Sequence, residues 1–283
     1  MKCMHCSWVI ASIVLVMGCG GGQSAANAPA EAPSAAPTQQ PKPAEPEAKP
    51  EPEKFDVDFV EAKPSAAVDK PPRVTIDVPG FNQFLPASLV ANTRIRFKVQ
   101  GFSDAPEGSY LQFILDNKPF RPVTDPNEKI MLTDLAGAEG LADGEHIIAA
   151  FMSYPTHEAI KSEKGIAVRR FYVGKRSDGG WDSNRSPLLL LASPHGTVAE
   201  DPIVDFVVLN ASISNSEYSV RTVVTGPGIK PEGIQRVITD WKPWVILSAR
   251  DGAEYKVDMQ LLDPSGEAVP YGAVSRTFTV KRP

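Results

Sequence analysis

Glu254-Tyr255-Lys256-Val257-Asp258-Met259-Gln260-Leu261 alternates polar and apolar side chains without a break, and Arg94-Ile95-Arg96-Phe97-Lys98-Val99 does the same. Successive side chains of an extended strand point to opposite faces, so each stretch buries one face and shows the other to water. Working outward, Tyr110 to Leu115 and Ile203 to Leu209 carry apolar residues on both faces. Between such runs stand turn signals: Asp116-Asn117-Lys118-Pro119, Asp143-Gly144, Asp251-Gly252 and Asp263-Pro264-Ser265-Gly266. Long helical periodicity is absent. The region from Arg73 onward is therefore expected to be all-β.

The pattern also repeats. Asp143-Gly144-Glu145-His146-Ile147 opens a strand, and a second strand follows, ending Arg170-Phe171-Tyr172-Val173. Further on, Asp251-Gly252-Ala253-Glu254-Tyr255-Lys256-Val257 is followed by Arg276-Thr277-Phe278-Thr279-Val280. Two such copies predict two tandem β-sandwiches, at 73–174 and 187–283, joined by a Gly/Ser/Asp/Asn-rich linker at 175–186. The Asp-Gly-x-Tyr/His-x-apolar step resembles bacterial immunoglobulin-like and fibronectin type III modules. That resemblance implies a structural corner, held by Tyr255 in the second copy and by His146 in the first. Leu115-Asp116-Asn117-Lys118-Pro119, the His157-Glu158 loop, and Thr239-Asp240-Trp241-Lys242-Pro243 leading into Leu261-Leu262-Asp263 are also similar to an uncharacterised family of exported proteins, which implies no activity.

The N-terminal quarter is different. Lys2 precedes an apolar run, Trp8 to Met17, too short to span a bilayer as a helix but suited to a signal peptide at 1–18. The run ends in Val16-Met17-Gly18-Cys19, which resembles a bacterial lipobox, although Met17 departs from its usual small or β-branched residue. The resemblance implies that Cys19 is acylated and becomes the mature N-terminus. More than one acyl chain is needed for stable anchoring. Gly20 in place of Asp implies the outer membrane if the cell has two. All three cysteines (Cys3, Cys6, Cys19) lie in the first nineteen residues, so processing is expected to leave only Cys19 and no disulfide framework. From Cys19 to Pro72 there are eleven prolines and twelve alanines. Residues 19–72 are accordingly expected to be a disordered tether spanning roughly 40 Å as a flexible coil. Within it, Phe55, Val57, Phe59 and Val60 form an apolar patch able to dock as an extra strand.

Charge narrows the function classes. From Arg73 on there are 23 basic and 25 acidic residues, without the basic excess of a nucleic-acid binder. There is no G-x-S-x-G elbow, H-E-x-x-H pair or phosphate-cradling glycine loop, so no metal, cofactor or catalytic residue is assigned. Candidate partner-binding residues are His157, Glu158 and Lys161, in a loop between two strands, and Trp241 and Trp244. The loop is placed at the tether end of the first sandwich, away from the second, and at least one of the two tryptophans is expected to be buried. Trp181, in the linker, is expected to pack between the domains. The leading expectation is an exported, membrane-anchored lipoprotein that binds an envelope protein or glycan without catalysis. Alternatives are a structural spacer or assembly subunit, and an accessory or cryptic hydrolase using His157 and Glu158.

Overall fold

Sixteen strands and little helix are found in the computed structural model, which describes residues 54–162 and 164–283. The predicted signal peptide, Cys19 and the tether up to residue 53 lie outside the described residues.

The strands run in chain order. β1 (Asp58–Glu61) comes before either sandwich. The first sandwich holds β2 (Arg73–Val78), β3 (Gln83–Leu85), β4 (Arg96–Gln100), β5 (Tyr110–Leu115), β6 (Arg121–Val123), β7 (Gly144–Ser153) and β8 (Ile166–Val173). β2 pairs with β4, facing a second sheet of order β3-β8-β7-β5-β6. The second sandwich holds β9 (Leu188–Ser193), β10 (Gly196–Val198), β11 (Ile203–Leu209), β12 (Ser219–Thr225), β13 (Ile234–Ile238), β14 (Trp244–Leu247), β15 (Glu254–Leu262) and β16 (Ala268–Val280). Its sheets have the orders β1-β14-β11-β9 and β10-β16-β15-β12-β13. The sequence repeat has a structural counterpart. In each copy the chain leaves one sheet at a cis proline, Val78–Pro79 or Ser193–Pro194. It then lays a short strand, β3 or β10, parallel to the last strand, β8 or β16.

Each alternating strand points one face into its own sandwich. Leu111, Phe113, Ile148 and Phe171 fill the first core, and Phe206, Tyr255, Val257 and Phe278 the second. The doubly apolar strands have a further consequence. A strand buried on both faces needs a cover on each side. The outer faces of β5 and β7 meet β9 and β11 of the second sandwich. Ile114, Ile147 and Phe151 on one side and Leu188, Leu190 and Val207 on the other form a third apolar layer. Full burial of such side chains stabilises by about 1.5–3 kcal/mol each. The sandwiches are thus stacked face to face, in four sheets. The linker takes part: Trp181 is buried in the third layer, and its Nε1 donates to Ser186 O (3.0 Å).

The stretch from Lys54 to Pro72, predicted as the end of the disordered tether, is part of the fold. β1 pairs antiparallel with β14, with Phe59 opposite Ile246. Val57 and Phe59, two apart, both enter the second core, as period-two geometry requires. The chain then turns to the first sandwich, where Val68 packs against its core and Ala66 O accepts from the Tyr154 hydroxyl (2.8 Å). The patch at Phe55, Val57, Phe59 and Val60 does supply the extra strand, and a few apolar residues, correctly spaced, are enough to add it at a sheet edge.

Candidate functional site

The His157 loop is built on a tight turn. Pro155 follows Tyr154, His157 N donates back to Tyr154 O (2.9 Å), and His157 has φ 71°. Histidine is among the residues that enter this left-handed region more readily than most. The loop does not sit away from the second sandwich. Ala159 N donates to Asp205 Oδ2 (2.7 Å), and Lys161 Nζ bonds both Asp205 Oδ1 and Trp241 O (2.7 Å). Asp205, on β11, is fully buried, and Lys161 is partly buried. The outer faces of β5 and β7 draw this end of the first sandwich onto the second, which a fold of two separate modules does not predict.

The loop residues that looked reactive are occupied, and they diverge. Glu158 is buried, and its Oε2 accepts from Ser65 N (2.9 Å) of the segment arriving from β1. His157 instead faces Tyr110. The Tyr110 hydroxyl accepts from Gln112 Nε2 (3.2 Å), which leaves its proton for His157 Nδ1 at 2.6 Å. Burial pushes the Tyr110 hydroxyl up to about 12. Burial also holds His157 below the ordinary imidazole range, against the pull of the Glu200 charge. The imidazole is therefore a neutral acceptor in the seam. Phe120 lies against it (6.3 Å between centroids) and stacks on His195 of the second sandwich (3.6 Å, 13°). His195 too is held low, by burial and then by the charge of Arg276. On its solvent side His157 lines an open cleft of about 670 Å³ with Glu200, Asp201 and Arg282, whereas Glu158 lines a separate hollow. Among the described residues no cluster of His, Cys, Asp and Glu could hold a metal ion.

A second clamp also crosses the seam. The Asn117 side chain mimics a strand residue for β9, donating to Leu189 O (2.6 Å) and accepting from Leu191 N (3.1 Å). Arg276, almost fully buried, donates to Leu191 O (2.9 Å), Asn117 O (3.0 Å) and Lys118 O (3.2 Å). No carboxylate faces it, and burial lowers its pKa to about 10, so it stays charged at neutral pH.

The two corner residues differ in chemistry but not in place. Tyr255 opposes Phe278 and His146 opposes Phe171. The Tyr255 hydroxyl donates to Pro227 O (2.9 Å) and accepts from Arg250 N (2.8 Å). His146 uses both ring nitrogens, Nδ1 to Asp116 Oδ2 (2.7 Å) and Nε2 to Ala142 O (2.9 Å). Burial works against its charge, but the Asp116 hydrogen bond, the Ala142 carbonyl and the Asp116 charge together raise its pKa.

Of the tryptophans, neither Trp241 nor Trp244 is buried; both are half-buried against the second core. Trp244 packs on Phe59 of β1 (5.0 Å), and Trp241 contributes its carbonyl to Lys161. The late strand β1 and the crossing loop cover what would otherwise be free rings. Sequence reasoning did not mark Asp205, Asn117, Tyr110 or Arg276. Asp205 did carry a signal, a lone carboxylate within Ile203-Val204-Asp205-Phe206-Val207. Arg276 carried none, since it occupies an ordinary polar position of an alternating strand.

No protein-family model matches the chain, and no curated protein shows significant similarity to it. Among solved structures it is similar to the FN1–FN3 domains of chicken CNTN1, at 10% identity over 74% of this chain and 68% of that one, with a TM-score of 0.23. It is similar to a putative membrane anchored protein from Corynebacterium diphtheriae, at 11% identity over 75% of this chain and 59% of that one, TM-score 0.23. A third is CBD12 from CALX1.2, at 8% identity over 74% of this chain and all of that one, TM-score 0.20.

Proposed function

We propose that the protein is an exported lipoprotein, anchored through acylated Cys19, whose two stacked sandwiches act without catalysis as a binding platform on a tether. One observation carries the non-enzymatic part. The titratable groups that suggested chemistry are committed to holding the structure: His157 to Tyr110 within the first sandwich, Glu158 to Ser65 of the segment arriving from β1, and Lys161 to Asp205 across the seam. A general base must reach its substrate's proton, and a buried Glu158 bonded to backbone is poorly placed to do so. Burying polar groups in a seam is tolerable when they are paired, and it fixes how two faces dock. The anchor rests on the Val16-Met17-Gly18-Cys19 run and the spacing role on the proline-rich segment that follows it.

The test has two parts. Cys19→Ser should move the protein from the membrane to the soluble fraction; unchanged partitioning removes the anchor. Envelope extract passed over the immobilised protein should leave a specific component that a heat-unfolded control does not retain. Turnover of a glycan or peptide by the purified protein, lost in His157→Ala, would overturn the non-enzymatic reading.

A further inference from the structure

A groove of about 540 Å³ runs where β2, β8, the linker and the end of β11 come together. Its floor is apolar, with Ile166, Val168 and Leu209 half-buried along it. Its rim carries three cations, Arg73, Lys164 and Arg169. Among the described residues no carboxylate lines it, and none forms an ion pair with any of the three. This is a local concentration of positive charge on a chain whose net charge is -5. At one end stands Phe81, 48% exposed, with the Arg170 guanidinium 5.8 Å from its ring centre. A large exposed aromatic ring braced by a cation is an unusual thing to leave facing water.

We infer that this groove binds an anionic polysaccharide, a chain of sugar rings bearing carboxylate or sulfate-type groups. The inference rests on the reading of the protein as a binding module and names its ligand class. Sugar rings present apolar C–H faces, which suit the shallow aliphatic floor and the Phe81 ring. Their anionic substituents suit the cationic rim. An extended peptide fits less well. Strand addition needs a free sheet edge, and β8 is hydrogen-bonded by β7 along its length and by β3 from Phe171 to Val173. The edge of β2 facing the groove is also partly used, because Val74 N donates to Lys164 O (3.4 Å) and Arg169 Nε donates to Ile76 O (3.0 Å).

The test uses the full chain in detergent. Dextran sulfate and polygalacturonate are the probes, against neutral dextran, polyglutamate and a single-stranded oligonucleotide. Binding of either anionic polysaccharide, falling with salt and absent for neutral dextran, is the expected result. Comparing the two probes separates sulfate from carboxylate recognition. The double variant Arg73→Gln, Lys164→Gln should lose about tenfold in affinity, equivalent to roughly 1.4 kcal/mol. Both side chains are exposed, so its melting temperature should not change. Phe81→Ala should weaken binding without altering the salt dependence. Equal binding of neutral dextran, tighter binding of polyglutamate or the oligonucleotide, no binding at all, or undiminished binding by the double variant would each overturn the groove. If the envelope component is still retained in any of those cases, the platform reading stands and only the groove falls.

Discussion

The corners of the two sandwiches do the same job with different chemistry. In the second, Tyr255 ties its strand to Pro227 and Arg250 through one neutral hydroxyl. In the first, His146 stands in the same place against Phe171, but its two ring nitrogens both meet acceptors, which requires a protonated imidazole. Asp116, which holds that charge, also accepts from Ile147 N (2.8 Å) and opens the Asp116-Asn117-Lys118 turn that grips the second sandwich. The first copy therefore couples its corner to the seam, and the second does not. A repeated fold position can be kept while its electrostatic character changes, so long as every buried polar atom finds a partner.

Four substitutions or titrations test this contrast, the largest effect first. Tyr255→Ala should destabilise by about 3–5 kcal/mol, because it removes a fully buried ring and leaves a cavity; thermal or urea unfolding measures it. His146→Phe keeps the ring stack on Phe171 but strands the Asp116 carboxylate and the Ala142 carbonyl. The expected loss is about 1.5–3 kcal/mol, the range for hydrogen bonds to charged groups. Tyr255→Phe should cost about 1–2 kcal/mol, since only the hydroxyl's two bonds are lost. If Tyr255→Phe proves costlier than His146→Phe, the charged corner is not the stronger tie.

The smallest effect is a pH slope, and its sign distinguishes the corner from the seam. The folded pKa of His146 is raised, so the native state holds its proton more tightly than the unfolded chain does. Its contribution is complete below the ordinary imidazole pKa of about 6.5. It is lost as pH rises through the raised value. His157 and His195 are held low, so their contribution is present above about 6.5 and is lost as pH falls through their folded values. His146→Phe should therefore remove the loss of stability that sets in as pH rises above about 6.5, and Tyr255→Phe should leave it in place. Urea midpoints at several pH values would show it, and a slope unchanged in His146→Phe would mean that the imidazole is not charged.

The sequence made the sandwiches legible because alternation in Arg94 to Val99 and Glu254 to Leu261 is a direct imprint of one-sided burial. Both corner positions stood out in the same way, His146 two residues past Asp143-Gly144 and Tyr255 three past Asp251-Gly252. The stacking was present but unread. Tyr110 to Leu115 and Ile203 to Leu209 carry apolar residues on both faces, and only a cover on the second face explains that. The placement of the His157 loop failed because it was inferred from where loops gather in a single sandwich, and the third layer overrides that. The basic groove left no trace in the sequence. Arg73 and Phe81, Lys164 and Arg169, and Leu209 come from three separate segments, and nothing local ties one segment to another.

The strand β1 has a mechanical consequence. A pull applied at Lys54, whose carbonyl is held by Arg250, passes next to Val57 and β1. All of these are attached to the second sandwich. The register of β1 with β14 must give way before tension can reach β2 or anything after it. The sandwich nearer the N-terminus in sequence is thus the one sheltered from load, and a short borrowed strand serves as the fuse.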